Sequence, residues 1–466
     1  MSQTKEKQAP AANPLGTEPV GKLMLKFAVP SIISLVVNSI YNMVDQLFIG
    51  QGVGYLGNAA TNVISPIMTA VVAIALLIGD GAAAYMSLQM GRGKPDEASH
   101  GAGNAMALIV IVGVVLTVLV SIFIKPLCWM LGATETNISY CLGYGSIIAL
   151  GIIASMIDTA FGSILRADGR PNLTMIGLLI GCGTNIILDP VFIFLCGWGV
   201  KGAALATILG QYFNAIFYLI CCTSFKTIKL KKSYFVPKAR ICGKTLSLGV
   251  SSFISQAAGV AVMVVMNNLL VVYGEQSAYG PDIPLAVMGI VLKFNMLLNS
   301  FFIGIGSGCQ PIFGYNYGSG QYDRVKEVLK RSLIIGEIIS IIGLIIFQVF
   351  PKQLISLYGQ ESELYVEFAV KCFRIHLLCC FMVPFVSIIS IFFQSIGKPI
   401  RAAFISLSRQ ILFFIPMAFI LGALFGIDGL LWTGPVSDTA AGAVAIIILI
   451  VSWKKLFRKE GVQNGQ

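Results

Sequence analysis

Met90-Gly91-Arg92-Gly93-Lys94-Pro95-Asp96 returns in altered form at Tyr317-Gly318-Ser319-Gly320-Gln321-Tyr322-Asp323, an offset of 227 residues. Two further stretches keep the same step. Ala167-Asp168-Gly169-Arg170-Pro171 matches Ser395-Ile396-Gly397-Lys398-Pro399 at 228, and Gly199-Val200-Lys201-Gly202 matches Gly426-Ile427-Asp428-Gly429 at 227. A nearly constant offset over three separated stretches marks a chain built from two similar units.

Between these stretches the chain is apolar. Of its 466 residues 56% are hydrophobic and only 11% charged, where a soluble chain carries roughly a quarter. The mean hydropathy is +0.84. The excess lies in runs of twenty or more residues, which fit membrane-spanning helices rather than the alternating pattern of barrel strands. The runs fall at 23–50, 59–89, 104–124, 136–165, 171–196 and 202–224, then 245–273, 284–316, 332–350, 364–394, 400–424 and 429–453. The expected fold is therefore an all-α polytopic membrane protein, with twelve transmembrane helices in two pseudo-symmetric six-helix lobes. The expected organisation is a tail at 1–22, an N-lobe at 23–224, a basic linker at 225–244, a C-lobe at 245–453 and a tail at 454–466. Six spans is an even number, so both lobes enter the membrane from the same side and face each other across a central cleft.

Charge sets the orientation. If the N-terminus is cytosolic, the inward segments hold 25 of the 32 Lys and Arg, and the outward loops hold only Lys125, Lys201 and Lys352. That bias places both termini in the cytoplasm of a multi-pass plasma (inner) membrane protein. Residues 1–17 are polar and lack the apolar core of a signal peptide. The net charge of +11 sits in these short segments, which argues against nucleic acid as a partner. The eleven cysteines show no CxxC-type metal spacing, and most, such as Cys182, Cys196, Cys221, Cys222, Cys379 and Cys380, lie in or at the ends of apolar runs as small hydrophobes, the adjacent pairs being weak metal or redox candidates. There is no Walker A lysine loop and no enzyme signature, so the chain is not read as an enzyme and needs no cofactor beyond a coupling ion.

A few polar residues inside the runs carry the chemistry. Asn185 and Asp189 are four apart, on one face of a helix, and Pro190 kinks that helix by freeing a carbonyl; Pro30 is expected to do the same in the first run. An aspartate in a span costs several kcal/mol to insert as a charge. At about 1.5 Å per helical residue, Asp45 lies about 28 Å beyond Lys26 and Asp189 about 27 Å beyond Pro171. Thr207 lies about 9 Å in from Lys201 on the other face. All three thus fall at similar depth in the outer half of the N-lobe, whose spans contain no interior Lys or Arg. Two such carboxyls either share a proton or hold a sodium ion with the Asn and Thr oxygens, and the plainer alternative is that they cap a kinked backbone. Asp80 and Asp158 lie nearer the cytosolic end and are candidates for gating or for the substrate cleft. Phe161, Met175 and Gln256 are further cleft candidates, although most such side chains pack against lipid or other helices. Lys293 and Arg409, well inside spans 8 and 11, meet either a substrate anion or a protein carboxylate such as Glu337 or Asp438.

The residues Pro30, Val44-Asp45-Gln46-Leu47-Phe48-Ile49-Gly50, Gly91 with Ala98, Leu165 to Pro171, Asn185, Asp189-Pro190 and Gly202-Ala203-Ala204-Leu205-Ala206-Thr207 together resemble the multidrug and toxic compound extrusion (MATE) family of the flippase-like (MOP) superfamily. Gly79-Asp80-Gly81-Ala82-Ala83-Ala84-Tyr85 is most similar to its MepA-like branch. The resemblance implies export of amphipathic, often cationic, drug-like compounds in exchange for H+ or Na+ by alternating access. It implies a cation site at Asp45, Asn185, Asp189 and Thr207, and a monomer in the lipid bilayer. Branches of the family that use a carboxylate in span 7 or 10 are not matched, because these spans offer Gln256, Asn267, Asn268 and Gln394 instead. The alternative is a flippase or exporter of a lipid-linked or anionic metabolite, for which Lys293 and Arg409 would be the cleft cations.

Overall fold

The computed structural model describes residues 13–53, 55–133, 135–280, 282–357 and 363–457, so most of both expected tails lies outside the described residues. Every long element is a helix, as a backbone that cannot borrow hydrogen bonds from lipid requires. Spans 1 to 6 are Val20–Val53, Tyr55–Gly91, Pro95–Met130, Ile138–Ala167, Pro171–Pro190 and Gly199–Cys221. Spans 7 to 9 are Ala239–Glu275, Asp282–Gly318 and Tyr322–Val349. Span 10 is built from two pieces, Glu363–His376 and Val383–Ser395. Spans 11 and 12 run as one helical stretch from Pro399 to Leu456 that is broken at Gly426, whose φ of 61° and ψ of −138° no helix contains. The break gives twelve spans in two lobes of six.

The repeat in sequence is a repeat in backbone. Gly93 and Gly320 have φ of 71° and 73°, and Gly169 and Gly397 have 85° and 80°. Only glycine enters this left-handed region without a Cβ penalty. Each ends a helix with the same pair of bonds: Gly93 N to Met90 O and Lys94 N to Gln89 O, against Gly320 N to Tyr317 O and Gln321 N to Asn316 O. Gly169 N to Arg166 O and Arg170 N to Leu165 O pair likewise with Gly397 N to Gln394 O and Lys398 N to Phe393 O. These 5→2 and 6→1 bonds satisfy the last carbonyls of a helix and turn the chain sharply. Pro171 and Pro399 then open the next span at the position where a missing N–H costs nothing.

Outer spans expose their apolar faces. In span 3, Val114, Val115, Val118, Leu119 and Ile122 are all exposed, as suits a helix bordered by lipid tails. Inner contacts use small residues instead, with Ala82, Ala84, Ala154 and Ala160 almost fully buried, because close backbone approach drives helix association where there is no water to escape.

The lobes meet at the end of the molecule that bears the basic segments, called here the basic face. A Cβ on Gly249 of span 7 would stand 1.8 Å from the Leu77 carbonyl oxygen of span 2, and one on Gly81 would stand 2.1 Å from the Thr245 oxygen. Between spans 8 and 1, a Cβ on Gly308 would stand 2.6 Å from Ala28 Cα and one on Gly304 2.7 Å from Ile32 Cα. The first turns of span 1 complete a C-lobe core, with Leu23 and Phe27 packed beside Ile312 and Phe313. Arg324 Nη2 donates to the Glu18 oxygen at 2.7 Å and Asn316 Nδ2 to the Leu15 oxygen at 2.9 Å.

Asp168 ties the linker to the N-lobe. Its fully buried carboxylate accepts from Lys226 N, Thr227 N, Thr227 Oγ1 and Arg170 Nε at 2.7 to 3.1 Å. Removing a buried charge that others depend on costs about 3–5 kcal/mol. Asp168→Ala is therefore expected to lower the melting temperature in detergent by several degrees and to open residues 225–244 to protease. Equal resistance of the variant and the parent would refute the staple.

Candidate functional site

Span 5 changes pitch where its proline stands. The α-helix ends at Pro190 and continues as a π-helical turn, Val191–Leu195. Proline removes one ladder bond, and such wide turns recur at functional sites. Pro30, by contrast, sits inside a continuous span 1, where Ser34 Oγ donates to its carbonyl at 2.8 Å.

Just before the π turn, Asp189 is fully buried and Asn185 is 2% exposed. Asn185 Nδ2 donates to Thr207 Oγ1 of span 6 at 3.1 Å and more weakly, at 3.5 Å, to Asp189 Oδ1. From span 1, the Asp45 carboxyl lies beside that of Asp189, within hydrogen-bonding reach. Two carboxyls this close are held together most cheaply by one shared proton or one cation. The four residues expected to converge are thus one cluster, drawn from spans 1, 5 and 6. Asp45 Oδ1, Asn185 Oδ1 and Asp189 Oδ2 are buried without a hydrogen-bond partner, and none of the ion pairs found among the described residues involves either aspartate. Unpaired buried oxygens with negative charge are acceptors for a proton or a hard cation.

Two tyrosines complete the cluster. The Tyr41 hydroxyl lies beside Thr207 and within electrostatic reach of both aspartates, and Tyr144 of span 4 reaches both as well. Tyr41 stands four residues before Asp45 on the same helix face, a spacing legible in the sequence. Nothing along the chain marks Tyr144, which only packing brings in.

The other candidates are scattered. Asp80 forms a polar knot between the lobes at the basic face. Ser163 Oγ of its own lobe donates to Oδ1 at 2.8 Å, and Ser252 Oγ of span 7 donates to Oδ2 at 2.9 Å. Gln394 of span 10 donates to Ser252 Oγ at 3.1 Å, and Gln310 of span 8 donates to the Asp80 backbone oxygen at 3.3 Å. Arg166 comes within 3.9 Å of the same carboxylate. Asp158 instead accepts from Asn214 Nδ2 inside the N-lobe.

Phe161 is corrected as a cleft residue: at 1% exposure it is packed in the N-lobe core beside Ile157, Ile164 and Tyr218, because this face of span 4 turns inward. Met175, Gln256 and Lys293 are half-buried in spans 5, 7 and 8. Arg409 is bound to Asp438, Nε to Oδ1 at 2.8 Å, so its charge is taken up within the C-lobe. Ser408–Phe414 around it forms a second π-helical segment.

Comparison with known proteins places the fold in a family. The MatE family model matches residues 30–191 and 258–420, one match per lobe. The multidrug export protein MepA of Staphylococcus aureus (strain MRSA252) is 24% identical over 92% of this chain and 94% of its own length. The MepA of Staphylococcus haemolyticus (strain JCSC1435) is 23% identical over 92% and 93%. A solved multidrug resistance MATE family transporter of the MOP superfamily, in its outward-facing conformation, superposes with a TM-score of 0.89 at 22% identity, covering 97% of this chain and 99% of that one. With both lobes matched in sequence and the fold shared from end to end, the chain belongs to the MatE family of multi-pass membrane transporters.

Proposed function

We propose that this protein is a secondary active multidrug exporter that exchanges a proton for an amphipathic, cationic compound by alternating access between its two lobes. The observation that carries the proposal is the meeting of two buried carboxyls, Asp45 and Asp189, with unpartnered oxygens and with no ion pair to a protein cation among the described residues, a pair that a proton neutralises. Protonation and substrate binding oppose each other when each favours a different arrangement of the lobes. The contact of the lobes at the basic face supports a resting state closed toward the cytoplasm, with both termini on that side. Relatives bearing the name multidrug export protein support the substrate class. The anionic-substrate alternative loses one of its two cleft cations, since Arg409 is bound to Asp438.

The test is ethidium efflux from vesicles with proton and sodium gradients imposed separately. Efflux is expected with the proton gradient alone. Efflux driven only by sodium would overturn the proton assignment, and efflux indifferent to both gradients would overturn antiport.

A further inference from the structure

Span 6 carries polar residues that the outer site does not use. Thr207, Gln211, Asn214 and Tyr218 follow at spacings of four, three and four, which is one face of a helix. Thr207 belongs to the Asp45–Asp189 cluster. Two turns further toward the basic face, Asn214 is 2% exposed and donates to the Asp158 carboxylate of span 4, while its own Oδ1 has no partner among the described residues. Between the two, Gln211 Oε1 is also buried without a partner and lies against Gly151 of span 4.

Glycines make room for this row. A Cβ on Gly177 of span 5 would stand 2.4 Å from Asn214 Oδ1, and one on Gly210 would stand 2.5 Å from the Gly181 oxygen. Spans 5 and 6, which hold the outer cluster, therefore join span 4 around a second carboxyl flanked by two unsatisfied amide oxygens. Asp158 lies ten residues before Asp168, about 15 Å from the basic end, against about 27 Å for Asp189.

We infer that Asp158 is a second, inner proton-holding residue of the N-lobe, taking up the proton that the Asp45–Asp189 pair gives up as the transporter turns. The step breaks one O–H bond at the outer pair and forms one at Asp158, with no other bond changed. The amide oxygens of Gln211 and Asn214 are acceptors for water carrying the proton between them, and buried water needs two to four such partners. A lone carboxylate in a span is neutralised most cheaply by a proton when no cation pairs with it, and no ion pair among the described residues includes Asp158. The groups facing Asp158 are Arg166 on its own span, Cys182 from span 5, and Asn214 and Tyr218 from span 6. Asp80 of span 2 is linked to it through Arg166. The titratable groups at the start of span 3 are engaged elsewhere, Asp96 and His100 with Tyr234 and Glu97 with Tyr85.

The inference rests on the antiport reading above, and infrared difference spectra of the protein in lipid separate the two. Across a pH titration, each buried acid that gains a proton adds a carboxylic C=O band. Asp158→Asn is expected to remove one titrating band while the helical amide bands stay unchanged. Asp189→Asn is expected to remove a different band. Asn214→Leu keeps the acid but strips its amide donor, so it is expected to shift the Asp158 band and its titration midpoint. A full set of titrating bands in Asp158→Asn overturns the inner station and leaves antiport standing. Should Asp158→Asn fail to fold, an unshifted Asn214→Leu spectrum overturns it instead. A full set in Asp189→Asn overturns the outer reading alone.

Discussion

Asp189→Asn is expected to reduce proton-driven ethidium efflux by about 5- to 150-fold, the range that an allosteric coupling energy of 1–3 kcal/mol spans. The substitution keeps the shape of the side chain, and the new amide can donate to Asp45, so assembly of spans 1 and 5 is preserved. What is lost is the group that gains and releases a proton. Size-exclusion profile and membrane yield should match the parent, which separates a failure of coupling from a failure of folding. Efflux at the parent's rate from Asp189→Asn would show that coupling resides elsewhere.

Gly249→Leu attacks the other half of the cycle. The site for its Cβ is 1.8 Å from the Leu77 carbonyl oxygen of span 2, and the next nearest atoms, at 2.6 and 2.9 Å, are also Leu77 backbone, so the lobes themselves must part. About 5.5 kcal/mol carries a two-state equilibrium from 1:99 to 99:1, and overlap of backbone atoms at that distance exceeds this. Parting the lobes also breaks the Ser252–Asp80 and Gln310–Asp80 bonds. Transport is expected to fall to the leak rate. A cysteine placed at Gln310, 3% exposed here, is expected to label with a soluble maleimide well above the background of the parent. The cores around Ile152 in the N-lobe and Phe368 in the C-lobe are each made within one lobe, so the variant should still be recovered from the membrane. Normal efflux by Gly249→Leu would mean that the closed basic face is not a state the transport cycle visits.

The two experiments separate chemistry from motion. Asp189 lies in the N-lobe far from the basic face, while Gly249 touches no part of the cation cluster. A coupled machine fails with either, but only Gly249→Leu is expected to change thiol accessibility without a proton gradient. Asp80 lies between the lobe contact and the inferred inner station, because Arg166 reaches both its carboxylate and the neighbourhood of Asp158.

The asymmetry of the lobes follows from the same residues. By the 227 offset Asp189 corresponds to Pro416 in the C-lobe, and Thr207 to Gly434. Gly434 is packed against His376, where a Cβ would stand 2.6 Å from the His376 oxygen. The C-lobe closes Arg409 on Asp438 and keeps one lone buried acid, Glu337, whereas the N-lobe brings two carboxyls, Asp45 and Asp189, together with no ion pair to a cation among the described residues. One scaffold was doubled, and one copy carries the proposed chemistry.

By itself the sequence determined the twelve spans, the two-unit repeat and the membership of Asp45, Asn185, Asp189 and Thr207 in one layer. These follow from local rules: lipid demands helices about twenty residues long, glycine ends them at Gly93, Gly169, Gly320 and Gly397, and depth is a count of residues at fixed rise. Tertiary structure alone decided what touches what across the membrane plane, since helix rotation and neighbour choice depend on packing that no residue count contains. It turned Phe161 into the core, bound Arg409 to Asp438, brought Tyr144 to the aspartates and set Asn214 against Asp158.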